Sequence, residues 1–133
     1  MDAAVREYVR QRAGGRCEYC LLPEEADAWP FHLEHIIAKQ HGGREVESNL
    51  CWACSRCNLN KGPNIATLDD SSDELVPLFN PRIEAWRDHF DVRESRIVGL
   101  TPVRGATARL LQMNESRRVE LRQDLIKRGI FQV

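Results

Sequence analysis

The 133-residue sequence predicts a small α+β fold: a strand–strand–helix core clipped by a four-cysteine zinc site and wrapped by N- and C-terminal helices. Three observations carry that expectation. Cys17/Cys20 and Cys54/Cys57 form two Cys-x-x-Cys pairs a few tens of residues apart, which suits two knuckles offering four thiolates to one tetrahedral ion at about 2.3 Å better than it suits disulfides. Between and just after the pairs, two runs of aromatic and β-branched residues give way to a short helical one. At both ends of the chain apolar residues recur at helical spacing. The length fits one domain over residues 1–133 with a modest core: a motif core at 17–62 and a C-terminal helical wrap at 80–133, with no internal repeat and no long linker.

In chain order, Asp2 is placed to cap a first helix whose apolar stripe is Val5, Tyr8 and Val9, with arginines outside it and Gly14-Gly15 ending it. The first knuckle, Cys17-Glu18-Tyr19-Cys20, follows, and Leu22-Pro23 turns the chain into a polar loop ending at Trp29-Pro30. Phe31 to Ile37 suits a strand. Strict alternation would send Glu34 and His35 to opposite faces; for both to serve one centre, the strand must end, bulge or twist there. His41-Gly42-Gly43 supplies a flexible loop, and Ser48-Asn49 leads into a second strand, Leu50 to Ala53. The second knuckle opens a helix from about Ser55 to Lys61, stopped by Gly62-Pro63.

Beyond the knuckles, residues 66–75 read as an acidic surface loop, with Leu75 to Phe79 packing back on the core. Asn80-Pro81 begins a short helix holding Trp86 and Phe90, and Arg96 to Leu100 reads as a strand. Thr101-Pro102 is a cap followed by proline at the first helical position, starting a helix to about Met113 with Ala106, Leu110 and Met113 on one face. Asn114 caps a last helix carrying Val119, Leu121, Leu125 and Ile126, closed by Gly129.

Composition narrows the partners. No apolar run is long enough to span a bilayer and no signal-peptide pattern is present, so a cytoplasmic protein without a membrane partner is expected. The formal net charge of −1 becomes about −3 once four thiolates hold one Zn²⁺. Binding to nucleic acid through overall charge is therefore excluded, and phosphate contact falls to local patches. Arg6, Arg10, Arg12 and Arg16 form one such run; Arg104, Arg109, Arg117, Arg118, Arg122, Lys127 and Arg128 form another. Cys51, left over after zinc, sits in an apolar run as a buried core thiol.

The residues between the knuckles carry chemistry. Glu34-His35 stands in FHLEHIIAKQHGG, Asn49 in ESNLCWAC, and Asn58 and Lys61 in SRCNLNKG. In type, order and spacing, and with CEYC before the hairpin and CSRCN-x-x-KG after it, this stretch resembles the HNH endonucleases, the ββα-metal or His-Me finger nucleases. The rest of the chain resembles them only loosely, through LFNPR, Trp86 with His89-Phe90, and the TP-x-x-GAT-like segment. The resemblance implies a ββα-metal core in which His35 is the general base and Asn49 pins the loop that orients it. It makes Glu34 and Asn58 the ligands of a catalytic Mg²⁺ or Mn²⁺, and puts Lys61 at the basic position that holds a phosphate or the leaving-group side. Zn²⁺ in the clip is then structural. Lys39, His41 and Arg56 are basic candidates for phosphate contact, while His32 and His89 read as structural.

Two departures matter. Glu34 stands where the family more often has Asp, moving the carboxylate by about one bond length where geometry must hold within about 0.5 Å. Asn58 replaces the last His with a harder amide oxygen, favouring magnesium or manganese over softer ions. The implied activity is metal-dependent cutting or nicking of DNA, with RNA as an alternative substrate, low sequence specificity, and a homodimer where both strands are cut in one event. The rivals are a zinc-clipped nucleic-acid-binding module without cleavage, and a zinc domain docking on a protein through Trp86, Phe90 and the last helix.

Overall fold

A computed structural model describes residues 3–133, so the expected Asp2 cap lies outside the described residues. The elements run α1 (Ala3–Arg12), β1 (His32–His35), β2 (Leu50–Ala53), α2 (Ser55–Lys61), β3 (Ala66–Leu68), β4 (Leu75–Pro77), α3 (Trp86–His89), β5 (Phe90–Arg93), β6 (Arg96–Gly99), α4 (Pro102–Leu110) and α5 (Ser116–Lys127), with three single-turn 3₁₀ helices in the loops. The strands form three separate antiparallel hairpins, β1–β2, β3–β4 and β5–β6. The first, followed by α2, is the β, β, α unit expected from the sequence.

Strand β2 is the one strand among the described residues that is buried at every position. Its run Leu50-Cys51-Trp52-Ala53 is buried on both faces, which a continuous apolar strand tolerates only if both faces are covered. The first knuckle covers one flank: Glu18 donates its amide to Trp52 O at 2.9 Å and accepts the Trp52 amide on Oε2 at 2.7 Å. Helix α1 covers another, with Val9 fully buried. Tyr8, expected on the same stripe, is 46% exposed and lies under the Arg12 guanidinium, 5.3 Å from its ring.

The N-terminal arginines are not a free patch. Arg6 stacks on Trp52 at 4.8 Å and donates to Phe31 O; Arg10 pairs with Glu24 at 2.9 Å; Arg12 donates to Leu50 O at 2.6 Å; Arg16 bonds Gln132 O. They hold the ends of the hairpin and its neighbours, although Arg6 remains exposed.

The C-terminal half differs most from expectation. Segment 66–75 is a hairpin, because Asp69 accepts from the Ser71 amide at 3.1 Å and from the Ser71 and Ser72 hydroxyls, folding the acidic stretch into its turn. The helix expected from Asn80 is confined to Trp86–His89, and Phe90 instead begins a strand. Its turn, Glu94-Ser95, takes φ of 51° and 66°, a conformation usually announced by Asn-Gly. Thr101 caps α4, accepting from the Arg104 amide at 3.3 Å with Pro102 behind it, although α4 ends at Leu110. That helix sits directly on β6: a Cβ on Gly99 would lie 2.2 Å from Gly105 N, so only glycine allows the approach. Asn114 bonds the Ile97 amide and carbonyl at 2.8 and 2.7 Å, and the cap of α5 is Glu115.

Candidate active site and metal clip

The β1–β2 register sets Ala53 opposite His32 and Leu50 opposite His35. Cys54, following Ala53, therefore lies at one end of the hairpin, and the Glu34-His35 pair at the other.

At the first end Cys17, Cys20, Cys54 and Cys57 are buried, all unbridged, with their sulfurs within 4.8 Å of one another. Cys20 Sγ and Cys54 Sγ are 3.7 Å apart, against about 3.8 Å for the edge of a tetrahedral zinc–thiolate site. The donor set and spacing fit zinc. Each knuckle directs an amide at its first sulfur: Cys20 N to Cys17 Sγ at 3.5 Å, and Cys57 N to Cys54 Sγ at 3.4 Å, where Cys54 is also the cap of α2. Burial pushes the Cys17 thiol well up, while hydrogen bonds from the other three pull Cys20 well down. Arg118 from α5 reaches the cluster, its Nη2 3.0 Å from Cys57 Sγ. Burial alone would lower this guanidinium, but Cys57, Cys20 and Cys54 outweigh it and hold it above its ordinary range. Cys51 stands apart, donating to Tyr19 OH at 3.6 Å, and burial pushes it up to about 12.

At the second end β1 stops at His35, the strand end expected beside the Glu34-His35 pair. Glu34 turns inward under α2, where Lys61 Nζ donates to its Oε1 at 3.3 Å and to His35 O at 3.2 Å. Lys61 is 1% exposed. It arrives there because it follows Cys57 by four residues, so the helix turns both toward the hairpin. Burial raises the Glu34 carboxyl above its ordinary value, with Lys61 opposing the shift.

His35 leaves its Nε2 buried without a hydrogen-bond partner among the described residues. The nearest carboxylate is Glu45, at 3.7 Å from Nε2, which also pairs with Lys39. Glu45 escaped the sequence reading; its only signal was an acidic residue in the loop between His35 and Asn49. Asn49 holds that loop: Oδ1 accepts from Ile37 N at 2.9 Å, and Nδ2 donates to Ile37 O and Arg44 O, each at 2.9 Å. Gly43 closes the same loop onto the strand end, since a Cβ there would fall 1.7 Å from Ile37 O.

Asn58 shares the flank of α2 with Lys61, three residues on, and its side-chain amide makes no hydrogen bond among the described residues. Asn60, two positions away, turns to the other side and donates to Leu111 O at 2.9 Å. Lys39 and His41 are exposed in the loop. Arg56 faces away from Glu34 and pairs with Glu115 at 3.5 Å. His32 is exposed, and His89 is held between Arg104 and Glu84.

The family model described as HNH endonuclease matches residues 17–64, from the first knuckle to just past α2. Residues 17–64 are therefore similar to the HNH endonucleases. The match begins at the first knuckle cysteine and takes in the hairpin, the Asn49 loop and α2, so all four cysteines of the cluster lie within the matched stretch. No curated protein and no solved structure matches the chain. Among the described residues no helix is long and apolar enough to cross a membrane.

Proposed function

We propose that this domain is a metal-dependent endonuclease that hydrolyses DNA phosphodiester bonds, with His35 as general base. The observation that carries this reading is the His35 Nε2, buried without a hydrogen-bond partner among the described residues, at the end of β1 next to Glu34 and beside the loop that Asn49 holds. An imidazole ordinarily titrates near 6.5 and suits proton removal from water at neutral pH. His35 accepts the proton of the attacking water on Nε2, and the Glu45 carboxylate at 3.7 Å stabilises the imidazolium that forms. Asn49 positions that base. Glu34 and Asn58 would hold a catalytic Mg²⁺ or Mn²⁺, which supplies positive charge to the phosphate and leaving oxygens. Lys61, fixed on Glu34 and His35 O, balances the buried carboxylate and aligns it. Lys39 and His41 stand exposed in the loop after β1 and are the candidates for phosphate contact. The products are a 5′-phosphate and a 3′-hydroxyl. One catalytic set per chain means that a monomer nicks, and cutting both strands takes two copies or two events.

The test is supercoiled plasmid with zinc-loaded protein at low salt, in EDTA, Mg²⁺ and Mn²⁺. Nicked product that requires the added ion supports the nuclease. A second reading is favoured by the engagement of Lys61 with Glu34, which withdraws the one motif ammonium from substrate: a nucleic-acid-binding module without cleavage. It predicts a gel shift that weakens with salt and no product in any metal.

A further inference from the structure

We propose that Arg118 is a functional part of the zinc clip: its guanidinium donates to the sulfurs that hold the ion, offsets part of the site's net negative charge, and sets how firmly the ion is kept. The inference rests on the zinc reading of the four cysteines and is independent of the nuclease reading.

Four thiolates around one Zn²⁺ carry a net charge of −2, and here that charge is buried. A buried charge is costly unless a counter-charge lies against it. Arg118 is that counter-charge. Its Nη2 lies 3.0 Å from Cys57 Sγ and 3.9 Å from Cys54 Sγ, so one nitrogen reaches both sulfurs of the second knuckle. Nη1 is fixed from behind by Leu111 O at 2.7 Å and Gln112 O at 3.0 Å. Two carbonyls at the end of α4 thus orient the fork, and the fork faces sulfur. Donation to the sulfur lone pairs lowers their charge while keeping them in place, as outer partners of metal ligands generally do.

The neighbour one turn on supplies the control. Arg122 lies on the same face of α5, donates to Ser95 O and Met113 O, each at 2.8 Å, and touches no sulfur. If Arg118 acted only by tying α5 to the rest of the chain, the two arginines would be equivalent. If it acts on the metal site, they differ.

The experiment measures zinc release to excess chelator, followed with a chromophoric indicator, and the sulfur-to-metal charge-transfer band of Co²⁺-substituted protein. Wild type, Arg118→Met, Arg118→Lys and Arg122→Met are compared at matched temperature. Arg118→Met is expected to release zinc about 10- to 100-fold faster and to shift the Co²⁺ band. Arg118→Lys, which keeps the charge and loses the fork, falls between. Arg122→Met is expected to melt lower with wild-type release and an unshifted band. Should Arg118→Met not fold, Arg118→Lys against Arg122→Met decides. Equal release and an unchanged band in the Arg118 variants overturn the proposal, as does equal acceleration by Arg122→Met. Failure of the wild type to hold zinc or cobalt would be a failure of the zinc reading itself, visible before any variant is compared.

Discussion

The two ends of the β1–β2 hairpin solve opposite problems with the same strands. At the Cys54 end four buried sulfurs converge, each knuckle amide is bonded to sulfur, and an arginine covers the outside. At the His35 end a carboxylate and an ammonium neutralise each other, while His35 Nε2 and the Asn58 side-chain amide make no hydrogen bond among the described residues. A structural metal site saturates its donors; a site for chemistry must leave some open to substrate and water. The closed end is built for stability, and on the proposed function the other end carries the chemistry.

Breaking the closed end has the largest effect. Cys54→Ser, or prolonged chelation of the wild type, is expected to abolish the cooperative fold of residues 17–64, because structural zinc contributes on the order of 10 kcal/mol in small metal domains. Near-UV circular dichroism during chelation tests this; a chelated protein with an unchanged spectrum and melting point would show that packing alone closes the hairpin.

At the open end the buried pair is the next most sensitive point. Lys61→Met leaves Glu34 buried without its partner and should cost about 3–5 kcal/mol. Adding Glu34→Gln should restore much of that, which a double-mutant cycle in urea measures. The pH dependence has a definite sign. Burial raises the folded-state carboxyl of Glu34, so the folded chain holds that proton more tightly than the unfolded one. Ionising it costs stability, lost as pH rises from the ordinary carboxylate range through the raised value, and Lys61→Met should steepen this loss.

Asn49→Ala removes three backbone contacts from the loop while sparing the core. We expect about 1–3 kcal/mol of destabilisation, together with faster amide exchange at Ile37 and a loss of cleavage larger than the loss of fold. If cleavage falls only in proportion to stability, Asn49 does not position the base.

The smallest effect separates Cys51 from the clip. With its thiol pushed up to about 12, Cys51 has almost no thiolate at pH 8, and the thiolate is the nucleophile. Iodoacetamide should leave the zinc-loaded protein unlabelled, and mass spectrometry should find Cys51 the slowest of the five after partial zinc removal.

Legibility followed the same divide. The clip, β2, α2 and the Thr101 cap were readable because each rests on local chemistry: paired cysteines, a continuous apolar run, a threonine before proline. What escaped depends on distant partners. The Glu94-Ser95 turn lacks the usual residues, so β5 passed for the end of a helix. Asn114 has the form of a helix cap, but its amide satisfies both backbone groups of Ile97 on another element. The arginines of α1 look like a phosphate patch until Phe31, Glu24 and Leu50 are seen to receive three of them. Lys61 was identifiable by position, but its pairing with Glu34 required the hairpin and α2 to be folded together.

The measurement that tests the central claim most directly is the nicking rate of His35→Ala beside wild type, with zinc content and melting temperature determined on both. The account predicts a fall of about 10²–10⁴-fold, the usual worth of a general base, with zinc and melting unchanged. Nicking at the wild-type rate would contradict it and remove His35 from the chemistry.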